Sequence, residues 1–344
     1  MAIQRVKEAI EALKRGEIII MIDDEDRENE GDLVYASTFS TPEKVNFLAT
    51  YGKGLICVAL TKDDADRFEL SPMVNLNTSS YETAFTISVD AKDALTGISA
   101  SERDMTIKIL ANPLGRADEL VRPGHIFPLV AKKGGTLVRT GHTEGSVDLC
   151  RLSGLQESAV ICEIMKDNGE MARRDDLLEF AKTHNLKIVY ISDIVEYRLQ
   201  NERLITLLSQ DEVEIFGVKV NRYKFKDHLN REHIALRFYS KHSVANVKFH
   251  HIGLDVELLT DSKKYSTFIK SIEYLKQNGG IFVFLNSLDN KTGDNIKEFG
   301  IGAQILKSLG VNEIRLITSH KPKELEFVGI HGFGLRVIEE IILK

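Results

Sequence analysis

Residues 18–22, Ile-Ile-Ile-Met-Ile, pass without a break into Asp23-Asp-Glu-Asp-Arg-Glu-Asn-Glu-Gly-Asp32. The apolar run reads as a buried strand. The ten residues after it hold seven carboxylates and one arginine, a net charge of −6, equal to that of the whole chain. Two readings are open. Most charge runs are solvated surface loops. Yet this run directly follows a buried strand, where α/β proteins commonly place ligand sites. A hard divalent cation would offset the repulsion, and Mg²⁺ takes one or two carboxylates plus waters and substrate oxygens.

The flanking sequence supplies mixed elements. Residues 5–15 read as an amphipathic helix with Val6, Ala9, Ile10 and Leu13 on one face and a stop at Gly16. Thr41-Pro42-Glu43 starts a second helix, with Thr41 as cap. Strands are expected at 33–37, 54–60, 85–89, 136–139, 159–165 and 187–191, and helices at 101–111 and 177–184. The polar segment from Arg198 to Arg203 reads as a domain boundary. Beyond it the pattern predicts a strand at 213–220, a helix at 267–277 and a buried strand at 280–285. A helix at 302–309, a strand at 313–317 and an amphipathic stretch at 335–343 follow. This mixture argues for α/β or α+β. A length of 344 residues predicts two domains.

Composition narrows the function classes. A net charge of −6 argues against a nucleic-acid binder. The longest aliphatic run is five residues, far short of the roughly 20 of a membrane span. The start of the sequence lacks the apolar core of a signal peptide, and three scattered cysteines, Cys57, Cys150 and Cys162, suit a reducing cytoplasm. Cys57 and Cys162 read as small buried residues.

Compensating positive charge comes later, at Arg116, Arg122, Lys132, Lys133 and Arg139. The segment Arg139-Thr-Gly-His-Thr143 offers a guanidinium, hydroxyls at Thr140 and Thr143, and close backbone approach at Gly141, a set suited to an anion. His142 is a candidate metal ligand, and His125 a candidate acid or base. Read singly, each histidine is also an ordinary surface or structural residue. Glu163 read alone is a strand-end carboxylate paired with a nearby cation.

Taken together and in order, the acidic run, Arg122-Pro-Gly-His-Ile-Phe-Pro-Leu129, Gly141-His-Thr-Glu144 and Cys162-Glu163 resemble 3,4-dihydroxy-2-butanone 4-phosphate synthase over roughly residues 3–200. The resemblance implies a three-layer, mixed-sheet domain over residues 1–200. It implies a cytoplasmic homodimer with the active site near the subunit interface. The family's lyase converts D-ribulose 5-phosphate to L-3,4-dihydroxy-2-butanone 4-phosphate and formate with Mg²⁺ or Mn²⁺. Carried over residue by residue, Glu28 and His142 are the metal ligands. Arg27, Glu28 and Asp32 match the substrate-contacting loop, and Arg139, Thr140, Gly141, His142 and Thr143 match the segment that holds the sugar phosphate. His125 and Glu163 match two residues essential for catalysis, Glu163 also lining the substrate site. Asp32, Glu163 and His125 are the candidates for proton transfer.

Residues 207–344 resemble GTP cyclohydrolase II, a second α/β domain, through Phe299-Gly-Ile-Gly-Ala-Gln-Ile-Leu-Lys-Ser-Leu-Gly310, Arg315-Leu-Ile-Thr318 and Gly332-Phe-Gly334. The departures matter more. That family holds zinc with three cysteines, whereas no cysteine follows Cys162 here, and the matching region reads His250-His-Ile-Gly-Leu-Asp. The family's Gly- and Arg-rich segment is replaced by Leu285-Asn-Ser-Leu-Asp-Asn290. The histidines His228, His233, His242, His250 and His251 have poor tetrahedral spacing, so no zinc is expected. Gly329-Ile-His-Gly-Phe-Gly334 only partly mimics a dinucleotide fingerprint. The expected chain is a lyase with a catalytically silent second domain. The alternative is a bifunctional enzyme that also opens GTP with unusual metal ligands.

Overall fold

The computed structural model describes residues 2–25, 27–240, 244–286, 295–319 and 335–343. Asp26, His242, residues 287–290 and residues 329–334 of the motifs above lie outside these. The chain divides into two compact units, Met1–Tyr197 and Arg198–Lys344.

The first unit runs α1 (Ala2–Lys14), β1 (Ile19–Ile22), β2 (Gly31–Ala36), α2 (Pro42–Phe47), β3 (Cys57–Leu60), α3 (Lys62–Arg67), β4 (Val89–Ala91) and α4 (Ala100–Ala111). It continues with β5 (Leu120–Val130), α5 (His142–Leu152), β6 (Ala159–Glu163), α6 (Arg174–His184), β7 (Lys187–Tyr190) and α7 (Ile191–Asn201). The strands form one mixed sheet in the order β4-β5-β3-β6-β2-β1-β7.

Side chains alternate across a strand, and here both faces are apolar. Ile20, Ile22, Leu33, Tyr35, Val58 and Val160 face a core with Val45 of α2, Ile107 and Leu110 of α4 and Leu177 of α6. Ile19, Met21, Val34 and Ile161 face the other core, with Val6, Ile10 and Leu13 of α1, Leu149 of α5 and Ile194 of α7. The result is three layers with the sheet in the middle. Thr41 caps α2 as expected, accepting from Lys44 N.

Several local expectations were wrong. Residues 136–139 are not a strand: Gly135–Leu137 is a 3₁₀ turn, pinned by Thr136 N and Oγ1 on the Asp148 carboxylate at 2.8 and 2.7 Å. At 85–89, Phe85 and Thr86 make only isolated bridges, and the strand proper starts at Val89. Residues 213–220 are the end of one hairpin, turning at Phe216 and Gly217, which both have positive φ. The two units divide between Tyr197 and Arg198, at the start of the polar segment, while Arg198 to Asn201 continue α7.

The second unit contains β8 (Ile205–Ile215), β9 (Val218–Asp227), β10 (Glu232–Phe238), β11 (Ala245–Ile252), α8 (Asp255–Thr260) and α9 (Ser262–Asn278). Then come β12 (Gly280–Asn286), α10 (Asn295–Ser308), β13 (Glu313–Thr318) and β14 (Arg336–Ile342). The sheet order is β14-β13-β11-β12-β10-β9-β8. It is antiparallel from β8 to β12 and parallel from β12 to β14. Gln304 of α10 accepts from Leu204 N and donates to the carbonyls of Leu199 and Glu202.

At the β9–β10 turn, the buried Asp227 carboxylate accepts from Leu229 N and Arg231 N at 2.9 Å, and pairs with the Arg231 guanidinium at 2.6 Å and His233 Nε2 at 3.1 Å. Burial opposes its charge, but these bonds outweigh it and hold Asp227 well below the usual carboxylate range. Replacing Asp227 by Ala leaves the partly buried Arg231 guanidinium, His233 and two turn amides without their acceptor, a loss of about 1–3 kcal/mol. Urea unfolding of the full chain, with hydrogen exchange read on β9 and β10, checks this. A lowered pKa stabilises above the unfolded value and loses that contribution as pH falls. The wild-type advantage over Asp227→Ala is therefore full at pH 6–7 and shrinks below about pH 4.

Candidate active site

The acidic run becomes the tight connection of the β1–β2 hairpin, in which Met21 pairs with Asp32 and Ile22 with Gly31. Asp23 sits inside it. Its Oδ2 accepts from Arg27 Nη1 at 2.8 Å and Glu28 N at 3.1 Å, and its Oδ1 accepts from Glu30 N at 2.8 Å. Asn29 has a left-handed backbone, φ 55°, which a short polar side chain tolerates. Gly31 is required by packing, because a Cβ there would meet Leu177 Cδ1 of α6 at 2.6 Å.

Asp32 begins the register with β6, where it lies directly opposite Glu163. Directly opposed residues hold their Cβ atoms about 5 Å apart, so two carboxylates share one spot. Glu163 Oε2 accepts from Leu55 N at 2.8 Å, a backbone partner where a cation was the bland expectation. Gly54 leaves room, since a Cβ there would meet Glu163 Oε2 at 2.6 Å.

His142 opens α5 and is 6% exposed. Its Nδ1 is 3.7 Å from Glu28 Oε2, and its Nε2 is 3.9 Å from Asp32 Oδ1. Neither His142 Nε2 nor Asp32 Oδ1 has a hydrogen-bond partner, though both are buried. The gap exceeds a hydrogen bond. A ligand atom of Asp23, Glu28 and His142 can each be found within 4.8 Å of the others, the metal-capable group found among the described residues. Asp23 already spends both oxygens on three donors, so Glu28 and His142 are the better-placed ligands. The donor set of one carboxylate and one imidazole, with the unpartnered Asp32 Oδ1 beside it, fits a divalent cation.

The charges displace one another's protonation. Burial pushes Asp32 up, His142 opposes this, and the Glu163, Glu28 and Glu30 carboxylates push with it, to about 7. Burial pulls His142 down, but Asp32, Glu28 and Asp23 outweigh it and lift the imidazole to about 9. Burial would raise Glu28, yet His142 and Arg27 leave it below its ordinary value.

Arg139 donates Nη1 to Glu144 at 2.6 Å, Nη2 to Tyr81 O at 3.0 Å and to Thr83 Oγ1 at 3.1 Å. Thr140, Gly141 and Thr143 lie along the entry to α5. Tyr81 is a link that sequence reading missed: its hydroxyl donates to Arg27 O at 2.7 Å, and Arg27 lies over its ring at 5.0 Å. It thereby ties the acidic loop to Arg139. His125 bonds elsewhere. Its Nδ1 pairs with the buried Asp90 carboxylate at 2.8 Å, and its backbone N donates to the other Asp90 oxygen.

The comparisons with known proteins match this layout. A family model described as 3,4-dihydroxy-2-butanone 4-phosphate synthase matches residues 7–197. The chain belongs to the 3,4-dihydroxy-2-butanone 4-phosphate synthase family. A GTP cyclohydrolase II model matches residues 225–342. A protein of Wolinella succinogenes named 3,4-dihydroxy-2-butanone 4-phosphate synthase is 55% identical over the whole of this chain and 98% of its own length. The crystal structure of RibBX, a two-domain 3,4-dihydroxy-2-butanone 4-phosphate synthase from A. baumannii, is 34% identical, with a TM-score of 0.83 over 98% of this chain and 99% of that one. A 3,4-dihydroxy-2-butanone 4-phosphate synthase solved in complex with two magnesium ions is 38% identical, with a TM-score of 0.55 over 57% of this chain and 97% of its own. Both expected fold types, a synthase domain and a cyclohydrolase II-like domain, are thus present. Among the described residues no helix is long and apolar enough to cross a membrane.

Asp32 supplies a stability test of this synthase fold. A carboxylate raised to about 7 destabilises the folded chain above that pH and relaxes as pH falls and it protonates. In metal-free protein, Asp32→Asn should therefore raise stability at pH 8 by on the order of 2–4 kcal/mol. The gain should shrink as pH falls below about 7 and vanish only near pH 4, the unfolded carboxyl's value. Thermal melts across this range check both sign and window.

Proposed function

We infer that this chain is the lyase that splits D-ribulose 5-phosphate into L-3,4-dihydroxy-2-butanone 4-phosphate and formate, in riboflavin biosynthesis. The observation that carries it is the opposed pair Asp32 and Glu163, set beside Glu28 and His142 with buried, unpartnered polar atoms between them. Every atom of the sugar phosphate reappears in the two products. The site therefore needs proton transfers and charge stabilisation.

Glu28 and His142 would hold Mg²⁺, or Mn²⁺ in its place. When bound, the cation supplies Lewis-acid stabilisation of developing enolate and alkoxide charge on substrate oxygens. The rest falls to the chain. Asp32, poised to about 7, can take and return a proton near neutrality. Glu163, oriented by Leu55 N, is the second proton carrier. His125, oriented by Asp90, shares or positions these transfers. Arg27, Glu28, Asp32 and Glu163 line the sugar. Arg139, Thr140, Gly141, His142 and Thr143 receive its phosphate end.

We place the synthase domain at residues 1–200 and a catalytically silent cyclohydrolase II-like domain, without zinc, at 207–344. The support is chemical. His250, in the region where that family carries cysteines, is built into an aromatic cluster 4.9 Å from Phe268 and 5.6 Å from Phe284. Burial there pulls it down to about 4. His233 is committed to Asp227. The protein is proposed to work in the cytoplasm as a homodimer. Met73, Val74 and Leu76, all exposed, are candidates for coverage by a second copy.

Formate release by the full-length chain decides this. It should appear with ribulose 5-phosphate and Mg²⁺, vanish with chelator, and return with Mg²⁺ or Mn²⁺. No formate is expected from GTP with Mg²⁺ or Zn²⁺. Asp32→Asn and Glu163→Gln should each lower kcat by roughly 10²–10⁴. Absence of formate from the sugar phosphate overturns the lyase reading, and formate from GTP with tightly bound zinc overturns the silent second domain. Sedimentation of the purified protein tests the dimer.

A further inference from the structure

The acidic loop is held from inside by its own Asp23 and from outside by partners that include Tyr81 and Arg173. Inside, Asp23 collects the N–H groups of Glu28 and Glu30. Outside, Arg173 donates Nη1 to Glu28 O at 2.7 Å and to Asn29 O at 2.6 Å. Two successive carbonyls converge on one nitrogen only if the backbone bends there, and Asn29, with φ 55°, makes that bend. Arg173 also lies 3.7 Å from Glu30 Oε1, adding a cation to a crowded anionic loop.

Arg173 is itself fixed. It immediately precedes α6, and its backbone N donates to Asp176 Oδ2 at 2.9 Å. Leu177, one residue further on, lies against Gly31 at the loop's exit. Helix α6 is thus seated on the hairpin by an apolar contact that presents the guanidinium to the carbonyls. Hydrogen bonds from a charged donor are stronger than neutral ones.

We propose that Arg173 is a positioning residue for the cation site: it sets the backbone of Glu28 and Asn29 and so where the Glu28 carboxylate stands relative to His142. This rests on the reading of Glu28 and His142 as metal ligands. Removing the strap leaves every ligand in place but frees the segment that carries one of them. Partners that orient a ligand typically contribute 10–100-fold in metal affinity.

The test is Mn²⁺ binding to full-length, metal-free protein, read as the loss of the free-ion electron paramagnetic resonance signal. Arg173→Ala should weaken Mn²⁺ binding about tenfold or more. At saturating Mn²⁺ its kcat should fall by a smaller factor. Millimolar guanidinium should recover much of the affinity, which a general packing defect would not allow. Arg173→Lys, which keeps a cation with a different donor geometry, should lie between the two. If Arg173→Ala fails to fold by circular dichroism, Arg173→Lys decides: affinity at least threefold weaker supports the strap. Folded variants that bind Mn²⁺ within twofold of wild type overturn it, as does an Arg173→Ala deficit unmoved by guanidinium. The two readings separate cleanly. Wild type that releases formate beside a variant with unchanged affinity sinks the strap alone. Wild type that binds Mn²⁺ but releases no formate, beside a weakened variant, sinks the lyase reading alone.

Discussion

The buried carboxylate of Asp23 accepts from the Arg27 guanidinium and from the N–H groups of Glu28 and Glu30, and the acidic loop closes around it. Without an internal acceptor, those amides would lack partners at the end of a buried strand, a loss of a few kcal/mol. The loop is therefore not a spray of repelling side chains. Its inner charges are spent on structure, and Glu28, Glu30 and Asp32 are left aimed at one place. Every other part of the site, from the register of β2 to the seating of α6, takes its position from this turn.

The sheet then acts as a ruler. Because the hairpin fixes Asp32 opposite Met21, and β2 pairs with β6, Asp32 must face Glu163. A one-residue slip would send it to the other face. Helix α5 enters from behind and inserts His142 among the carboxylates. The electrostatic consequence is two displaced groups of opposite type, an acid pushed up and an imidazole pushed up beside it. Asp32 keeps its proton up to neutrality because burial disfavours its charge, and His142 keeps its proton beyond neutrality because the carboxylates around it favour the imidazolium. The buried atoms Asp32 Oδ1 and His142 Nε2 are left without hydrogen-bond partners between these groups.

The second unit keeps a sheet and its core while its polar chemistry serves packing. Asp227 and His233 stabilise a turn, and His250 stacks among phenylalanines. The two-domain RibBX structure covers 98% of this chain, so both units have counterparts in one relative.

What could be read in the sequence was what depends on local pattern or on long matching motifs. The run 18–22 announced β1, Thr41 announced α2, and the motifs around Glu28, His125, His142 and Glu163 named the family. Helix α5 was illegible because all nine residues from His142 to Cys150 are buried, so no polar face marks a helical period. Strand β5 was hidden by Pro123, Gly124 and Pro128. The stretch at 136–139 looked β-branched and apolar, but Asp148 claims Thr136 for a turn. Tyr81, Asp90 and Arg173 carried no signal at all, since each acts on residues 35 to 145 positions away. The sequence by itself determined the kinds of atoms available and the short elements that carry them, because burial and capping are decided within a few residues. Only the tertiary structure decided which carboxylate faces which imidazole, which amides Asp23 gathers and what protons they hold. Register, helix seating and desolvation are set by partners far along the chain.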